Sequence, residues 1–412
     1  MKVTIPNNNI PERKYILEVI LGEFLGLEFS IAIGSSDWVI EHNGKELVIE
    51  DTFFNRFPND LEYLKRENIP KSIEELDLFA ASFFMLTRWE EYVNRVRDNH
   101  NRFPARESLA FKQGFLHRPI VNEYVAWLKQ RLLELDSSLR FQKREFELVL
   151  THDVDEIYFW RSWQQLLRVV AGDILKRGSL SLAIQRINEF FSIKWGKRKD
   201  PYDTFDWLMD RSEARGIKSR FYFMSGGVTA YDNRYRIDDP KVVTLMKRIK
   251  ERGHIIGIHP SYNAYKDAKL LKREKELLEE VCGCPIVEGR EHYLRFDVPT
   301  TWQIWEENGM RIDSTCGYAD QEGFRCGTGD AFSVFNILTR KKLQLKERPL
   351  IYMDDNRAKG ERIYDKGELI ATIRHLVKQC REYESSCTLL FHQNIFASKE
   401  VAYKEIYEAV IE

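Results

Sequence analysis

The sequence predicts a parallel β/α barrel over residues 143–412, preceded by a smaller α+β domain at 1–142. Three observations carry this expectation. From Glu145 onward, short apolar runs alternate with amphipathic helical patterns at the interval of βα units. Several of those runs end in charged or polar residues, as strands do where their C-terminal ends build a site. Before Glu145 the pattern is different, mixing helical periodicity with one alternating hairpin-like stretch.

In order, residues 13–28 have apolar positions at helical spacing. Trp38–Glu50, WVIEHNGKELVIE, alternates around Asn43-Gly44, the pair a type I′ hairpin favours. Helical patterns follow at Ser72–Val96 and Pro119–Leu135, the second with its proline where a first helical turn accepts one. Leu148–Asp155, LVLTHDVD, reads as a buried strand ending in two carboxylates. An insertion at about 157–200 interrupts the rhythm. Helix Thr204–Arg215 behind Asp203, strand Ser219–Met224, helix Asp239–Arg252 and strand Ile255–His259 then continue it. Next come helix Ala268–Val281, a strand near Val287–Phe296, helix Thr300–Glu307 and strand Arg311–Ser314. A long loop is expected over Tyr318–Lys342, then a strand at Leu350–Met353, a helix over Lys366–Glu384 and a last strand at Thr388–His392.

At 412 residues with 43% hydrophobic and 13% aromatic side chains, the chain can bury cores for two domains. Its formal charge of -1 gives no reason to expect a nucleic-acid partner. MKVTIPNNNIPERK lacks the basic-then-apolar layout of a secretory signal, so the expectation is a cytoplasmic protein. Six cysteines form no disulfide framework, and the Cys282-x-Cys284 pair has no companion at zinc-ligand spacing. The 157–200 insertion interleaves Trp160, Trp163, Phe190, Phe191 and Trp195 with Arg161, Arg168, Lys176, Arg177, Arg186, Lys194, Lys197, Arg198 and Lys199. Such a segment can be a helical hairpin with a solvated basic face, or a contact for an anionic membrane or a lipid-linked glycan.

Loops at strand C-termini of a parallel barrel converge, so Asp153, Asp155, His259, Arg290, Asp313 and His392 should meet. Alternation puts Asp153 and Asp155 on one side and His152 and Val154 on the other. One carboxylate can then bind a metal while the other takes a proton. His259 is a nitrogen ligand, His392 a proton donor, and Arg290 a brace for Asp153. His292, beside Arg290, would contact sugar hydroxyls; His254, at the start of its strand, is structural. Arg325 would bind a substrate anion or pair within its own loop.

THDVD at Thr151–Asp155, GHIIGIHPSYN at Gly253–Asn263, the arginine of GREHY at Gly289–Tyr293 and LFH at Leu390–His392 resemble, in order, four motifs of the polysaccharide deacetylases, the NodB-homology carbohydrate esterases. The resemblance implies a distorted (β/α)7 barrel that removes N- or O-acetyl groups from a sugar with a divalent metal, zinc, cobalt, manganese or nickel. It assigns Asp153 as general base, Asp155 and His259 as metal ligands, and Arg290 as the brace of the base. It further assigns Leu390 to the acetyl pocket and His392 as general acid, with the oxyanion near Tyr293. The aspartate that tunes the acid falls on Asp313 or Asp320. The second metal histidine should stand four residues after His259, where this chain has Asn263, whose amide oxygen would bind zinc more weakly than imidazole does. The expected partner is an acetylated sugar or glycan, free or lipid-linked. A glycan-binding protein on a degenerate barrel and a hydrolase of non-sugar amides are the alternatives.

Overall fold

In a computed structural model of the chain, residues 1–232, 235–354, 365–397 and 402–412 are described. Four short strands come first: β1 (Lys2–Ile5), β2 (Ser30–Ile33), β3 (Trp38–His42) and β4 (Lys45–Ile49). They form a mixed sheet in the order β2-β1-β3-β4. Asn43 and Gly44, both at positive φ, turn β3 into β4, as that dipeptide requires. The helical pattern at 72–96 breaks in two, Leu78–Thr87 and Trp89–Val93, because Arg88 between them is left-handed at φ 53°.

The larger sheet contains β5 (Glu147–Val154), β6 (Arg220–Phe223), β7 (Ile255–Ile258), β8 (Glu288–Gly289) and β9 (Ile312–Asp313). It is completed by β10 (Phe332–Asn336), β11 (Lys341–Glu347), β12 (Leu350–Met353) and β13 (Ser386–Leu390). The order is β10-β11-β9-β8-β7-β6-β5-β13-β12, a curled, mostly parallel sheet of nine strands. β9 through β12 in that order are parallel throughout. Two strands lie inside and just beyond the stretch expected to be a loop. β11 joins β9 in parallel, and β10 pairs antiparallel with β11. β12 and β10 are not paired with each other among the described residues, so the sheet is an open half-barrel rather than a closed seven-stranded barrel.

The insertion is a hairpin of two helices, Trp163–Leu175 and Leu180–Lys194. It has its own small core of Trp160, Leu166 and Phe190, separate from the main one.

The main core runs without interruption from the first sheet to the second. Residues before 142 are therefore packed against the half-barrel rather than tethered to it. Tyr15 Oη donates to Ser333 O at 2.9 Å, and Phe324 N donates to Leu116 O at 2.8 Å. Glu91 carries the strongest tie. Its carboxylate receives Arg325 Nε at 2.9 Å and Nη2 at 2.5 Å, and Arg88 Nε at 2.8 Å, all of them buried. Arg325 Nη1 also donates to Gly317 O at 2.7 Å, so Arg325 is a structural cation and not a substrate-binding one. Burial alone would raise the Glu91 carboxyl, but the two guanidinium groups outweigh it and hold it at about 2.

A carboxylate depressed in the folded state contributes stability above its unfolded value and loses it as pH falls through the folded one. Glu91→Gln should therefore cost about 3–5 kcal/mol near neutral pH, because buried Arg325 loses its carboxylate partner and buried Arg88 is left with Glu90, 3.5 Å away. Urea unfolding measured from pH 7 down to pH 2 should show the wild type losing this increment below about pH 4.5 and the variant lacking it throughout. Equal stabilities at pH 7 would mean that the ion pair does not hold the two parts together.

Candidate metal centre and active site

β5 lies between β6 and β13 in the sheet and delivers two carboxylates to its C-terminal end. Asp153 and Asp155 both face one cleft, while His152 is turned into the core, where its Nδ1 lies 2.8 Å from Phe391 O. The cleft, of about 170 Å3, is also lined by His259, His292, Tyr293, Leu294, Met353 and His392.

Asp153 is almost fully buried and takes its partner from the end of β8. Arg290 Nη1 donates to Asp153 Oδ1 at 2.8 Å and to Thr151 Oγ1 at 3.0 Å. The remaining guanidinium donors reach Ser314, Nε to its carbonyl at 2.8 Å and Nη2 to its hydroxyl at 3.1 Å. The guanidinium carbon lies 5.2 Å from the centroid of the Tyr222 ring. Two glycines make this seat possible. A Cβ on Gly257 would meet Tyr222 Cδ1 at 2.6 Å, and one on Gly289 would meet Ile258 O at 2.0 Å.

Asp155, His259 and His292 bring three ligand atoms within 4.8 Å of one another. His259 Nδ1 lies 2.7 Å from Arg290 O, an arrangement that places the proton on Nδ1 and leaves the Nε2 lone pair facing Asp155 Oδ1 at 3.3 Å. His292 Nε2 is 3.8 Å from the same carboxylate oxygen. Asp155 Oδ1 and His292 Nδ1 are buried without a hydrogen-bond partner, and burial pushes the His292 imidazole down to about 4, which keeps it in the neutral form a metal requires. Two imidazoles and one carboxylate with an open side toward the cleft suit a divalent cation such as zinc.

Asn263 is not part of this set. It sits in an exposed turn before a short 3-10 helix at Ala264–Lys266, and its Oδ1 accepts from Arg295 Nη1 at 3.2 Å. Counting four residues from His259 assumes a helical turn there, whereas the chain leaves β7 through Pro260 in an irregular loop. His292, expected to touch sugar, instead joins Asp155 and His259 in the set that could hold a metal, carried in by the turn after β8.

Asp313 is also displaced from its expected place. It ends β9, five strands from β13 in the sheet, where its Oδ1 accepts from Thr315 N at 3.0 Å and from the Thr315 hydroxyl. Burial raises it to about 7. Asp320 accepts from Ala105 N at 3.1 Å and likewise stands apart from the cleft. The carboxylate beside the histidine is Asp354, at the end of β12, the neighbour of β13. Its Oδ1 is 2.7 Å from His392 Nδ1, and its Oδ2 accepts from His392 N at 2.7 Å. Burial alone would lower the imidazole, but Asp354, then Asp155 and Asp153, override it and raise His392 to about 10. Nε2 points toward the centre, 3.8 Å from Asp155 Oδ2.

Leu390 is fully buried under the cleft, packed with Leu350, Leu294 and Met353, and it is the last two that line the opening. Tyr293 stands at the mouth in a left-handed conformation, φ 61°. Arg102 and Asp232, which no motif points to, complete the wall. Asp232 is held by Tyr262 N at 2.8 Å and Thr229 N at 2.6 Å, with one oxygen 4.0 Å from His292 Nδ1.

The cleft thus brings together a braced carboxylate, an imidazole that Asp354 keeps charged, and three side chains that could hold a metal. Solved polysaccharide deacetylases are similar to this chain. One, described as putative, from Mycobacterium smegmatis is 14% identical, with a TM-score of 0.40, over 65% of this chain and 83% of that one. A probable polysaccharide deacetylase from Pseudomonas aeruginosa PAO1 is 12% identical over 65% and 84%, with a TM-score of 0.39. Puue allantoinase is 12% identical over 65% and 83%, with a TM-score of 0.37. Residues 1–137 match a family of unknown function (DUF7033). No curated protein matches the chain.

Zinc titration followed by calorimetry separates the two candidate third ligands. His292→Ala should weaken binding by at least about tenfold, since loss of even an outer-sphere partner costs that much. Asn263→Ala should bind as the wild type does. The reverse pattern would restore Asn263 to the site.

Proposed function

We propose that the protein hydrolyses an acetyl group, most simply an N-acetyl group, from a sugar. The observation that carries this reading is the convergence in one cleft of Asp153, 3.9 Å from His259, and His392, 3.8 Å from Asp155, on the Asp155, His259 and His292 triad. The motifs at Thr151–Asp155, Gly289–Tyr293 and Leu390–His392, which resemble those of polysaccharide deacetylases, support it.

A divalent cation on the triad would supply Lewis-acid polarisation of the acyl carbonyl and a more acidic water. The chain's own groups do the rest. Asp153, fixed by Arg290, accepts the proton of the water as it attacks the acyl carbon. His392, kept protonated by Asp354 at its Nδ1, gives its Nε2 proton to the departing nitrogen, and the products are acetate and the free amine. Leu294 and Met353 offer the methyl group an apolar wall, with Leu390 beneath them.

The alternative of a degenerate glycan-binding protein draws its support from Asn263, and Asn263 lies outside the site. The acid, the base and a three-donor metal set are all in place, which favours a hydrolase over a binding module.

Acetate release from N-acetylated sugar oligomers, with zinc, cobalt, manganese or nickel added, tests the reading. Asp153→Asn should lower kcat by at least about a hundredfold with KM little changed, the range expected for loss of a general base. Asp354→Ala should lower kcat less, because His392 remains but loses its orientation. A variant lacking the Asp153 carboxylate that works at full rate would reject the assignment.

A further inference from the structure

The helical hairpin at 163–194 presents apolar residues on two sides. Leu166 and Phe190 face inward to its own core with Trp160, so the outward ones are not needed to hold it together. Leu175 is 83% exposed and Leu180 65%, and they stand on either side of the turn Lys176-Arg177-Gly178-Ser179. Behind them, Leu167 is 66% exposed one helical stripe back from the exposed Ile174, and Ile184 is exposed one turn after Leu180. Exposed leucines at a loop tip and along both flanking helices form a patch, not scattered single residues.

The turn is rigid. Gly178 takes φ 63°, Ser179 N donates to Asp173 O at 2.9 Å, and the Ser179 hydroxyl caps the second helix at Leu182 N, 3.3 Å away. Buried Asp173 is paired with Arg177. The two leucines are therefore held out to solvent by a built turn and not by a frayed end.

Charge decides what the patch would meet. Residues 161–199 carry nine basic side chains against Asp173 and Glu189, in a chain whose formal charge is only -1. Arg168, Lys176, Lys194, Lys197 and Arg198 have no carboxylate partner among the described residues. Lys194 lies 4.9 Å from the Trp163 ring centroid and Lys197 5.6 Å from that of exposed Trp195, so cations and indoles share one surface. Trp163, Lys194, Trp195 and Lys197 stand at the base of the hairpin, with Leu167, Ile174 and Ile184 between them and the tip, where Lys176 is exposed. An apolar face bordered by cations at both ends matches an acyl layer topped by anionic headgroups. No helix among the described residues is long and apolar enough to cross a membrane, which leaves contact with one leaflet.

We propose that this hairpin docks the protein lengthwise on an anionic lipid bilayer, with Leu175, Leu180 and the exposed apolar residues behind them entering the headgroup layer and the unpaired cations at its tip and base pairing with lipid phosphates. The hairpin emerges directly from the cleft, since Glu156 at its base lines the cleft and Ile157 begins the hairpin's own groove. Docking would bring the cleft to a membrane surface whatever reaction it catalyses.

The test is co-sedimentation of the full chain with vesicles of phosphatidylcholine alone or with phosphatidylglycerol. The wild type should pellet with the anionic vesicles, less so as salt is raised, and leave the neutral ones largely in solution. Leu175→Asp/Leu180→Asp should weaken binding to anionic vesicles by at least about tenfold, with circular dichroism and thermal unfolding unchanged because both side chains are exposed. Equal pelleting with the two vesicle types, or full binding by the double variant, would overturn the proposal. So would sedimentation velocity showing a wild-type dimer that the double variant dissolves without any vesicle binding by either, since the patch would then join two copies of the chain.

Discussion

A guanidinium with no access to water must have its donors satisfied within the protein, and Arg290 meets that demand by spanning the mouth of the half-barrel. Its side chain bonds Thr151 and Asp153 at the end of β5 and Ser314 beyond β9, four strands away in the sheet. Its backbone is equally committed: Arg290 N donates to Ile258 O at 3.0 Å, and Arg290 O receives His259 Nδ1. One residue thus orients the proposed base through its side chain and a histidine of the candidate metal set through its carbonyl. The absence of a Cβ at Gly257 and Gly289 lets Tyr222 and Ile258 come close enough to form its seat. Any distortion at this point would move the base and the metal ligand together.

The cleft uses one residue type in opposite states. His292 has carboxylates no nearer than Asp155 at 3.8 Å and Asp232 at 4.0 Å, and burial outweighs them and drives it neutral, whereas His392 is buried against Asp354 and keeps its proton. Burial acts in the same direction on both, so the difference is the carboxylate at 2.7 Å. Environments that push two like groups apart in pKa divide their labour, one as a ligand and one as an acid. Asp354 also accepts the His392 backbone N–H, which fixes the main chain as well as the ring. That double hold makes Asp354 a positioning residue as much as an electrostatic one.

Much of this site is legible in the sequence, and the residues that are not share a cause. Asp153, Asp155, His259, Arg290 and His392 follow apolar runs, so the rule that strand ends converge brings them together without knowledge of the sheet order. Asp354 follows such a run too, LIYM, and the same rule selects it equally well. The preference for Asp313 comes from letting motif order along the chain stand in for strand order in space, and β12 lies beside β13 only through the topology. His292 and Asn263 exchange roles for a related reason: spacing in an irregular loop does not determine which side chain turns inward. The nine-stranded extent of the sheet is hidden because β11, KKLQLKE, alternates like an edge strand with one solvated face and sits in a region rich in turn residues.

The mouth of the cleft depends on the first 142 residues in a way that composition does not reveal. Tyr293 and Leu294 are both left-handed, at φ 61° and 54°, conformations that cost non-glycine residues about 1–3 kcal/mol each. Such strain persists only where neighbours over-determine it. Arg102 Nη1 donates to Tyr293 O at 3.2 Å, and the His100 ring lies 4.7 Å from the Tyr293 ring, while Arg295 Nε returns to His100 O at 3.0 Å. The N-terminal part therefore stabilises the backbone turn that sets His292 against Asp155 on one side of Tyr293 and Leu294 against the cleft on the other. With Arg102 itself lining the opening, the two parts of the chain build one site between them.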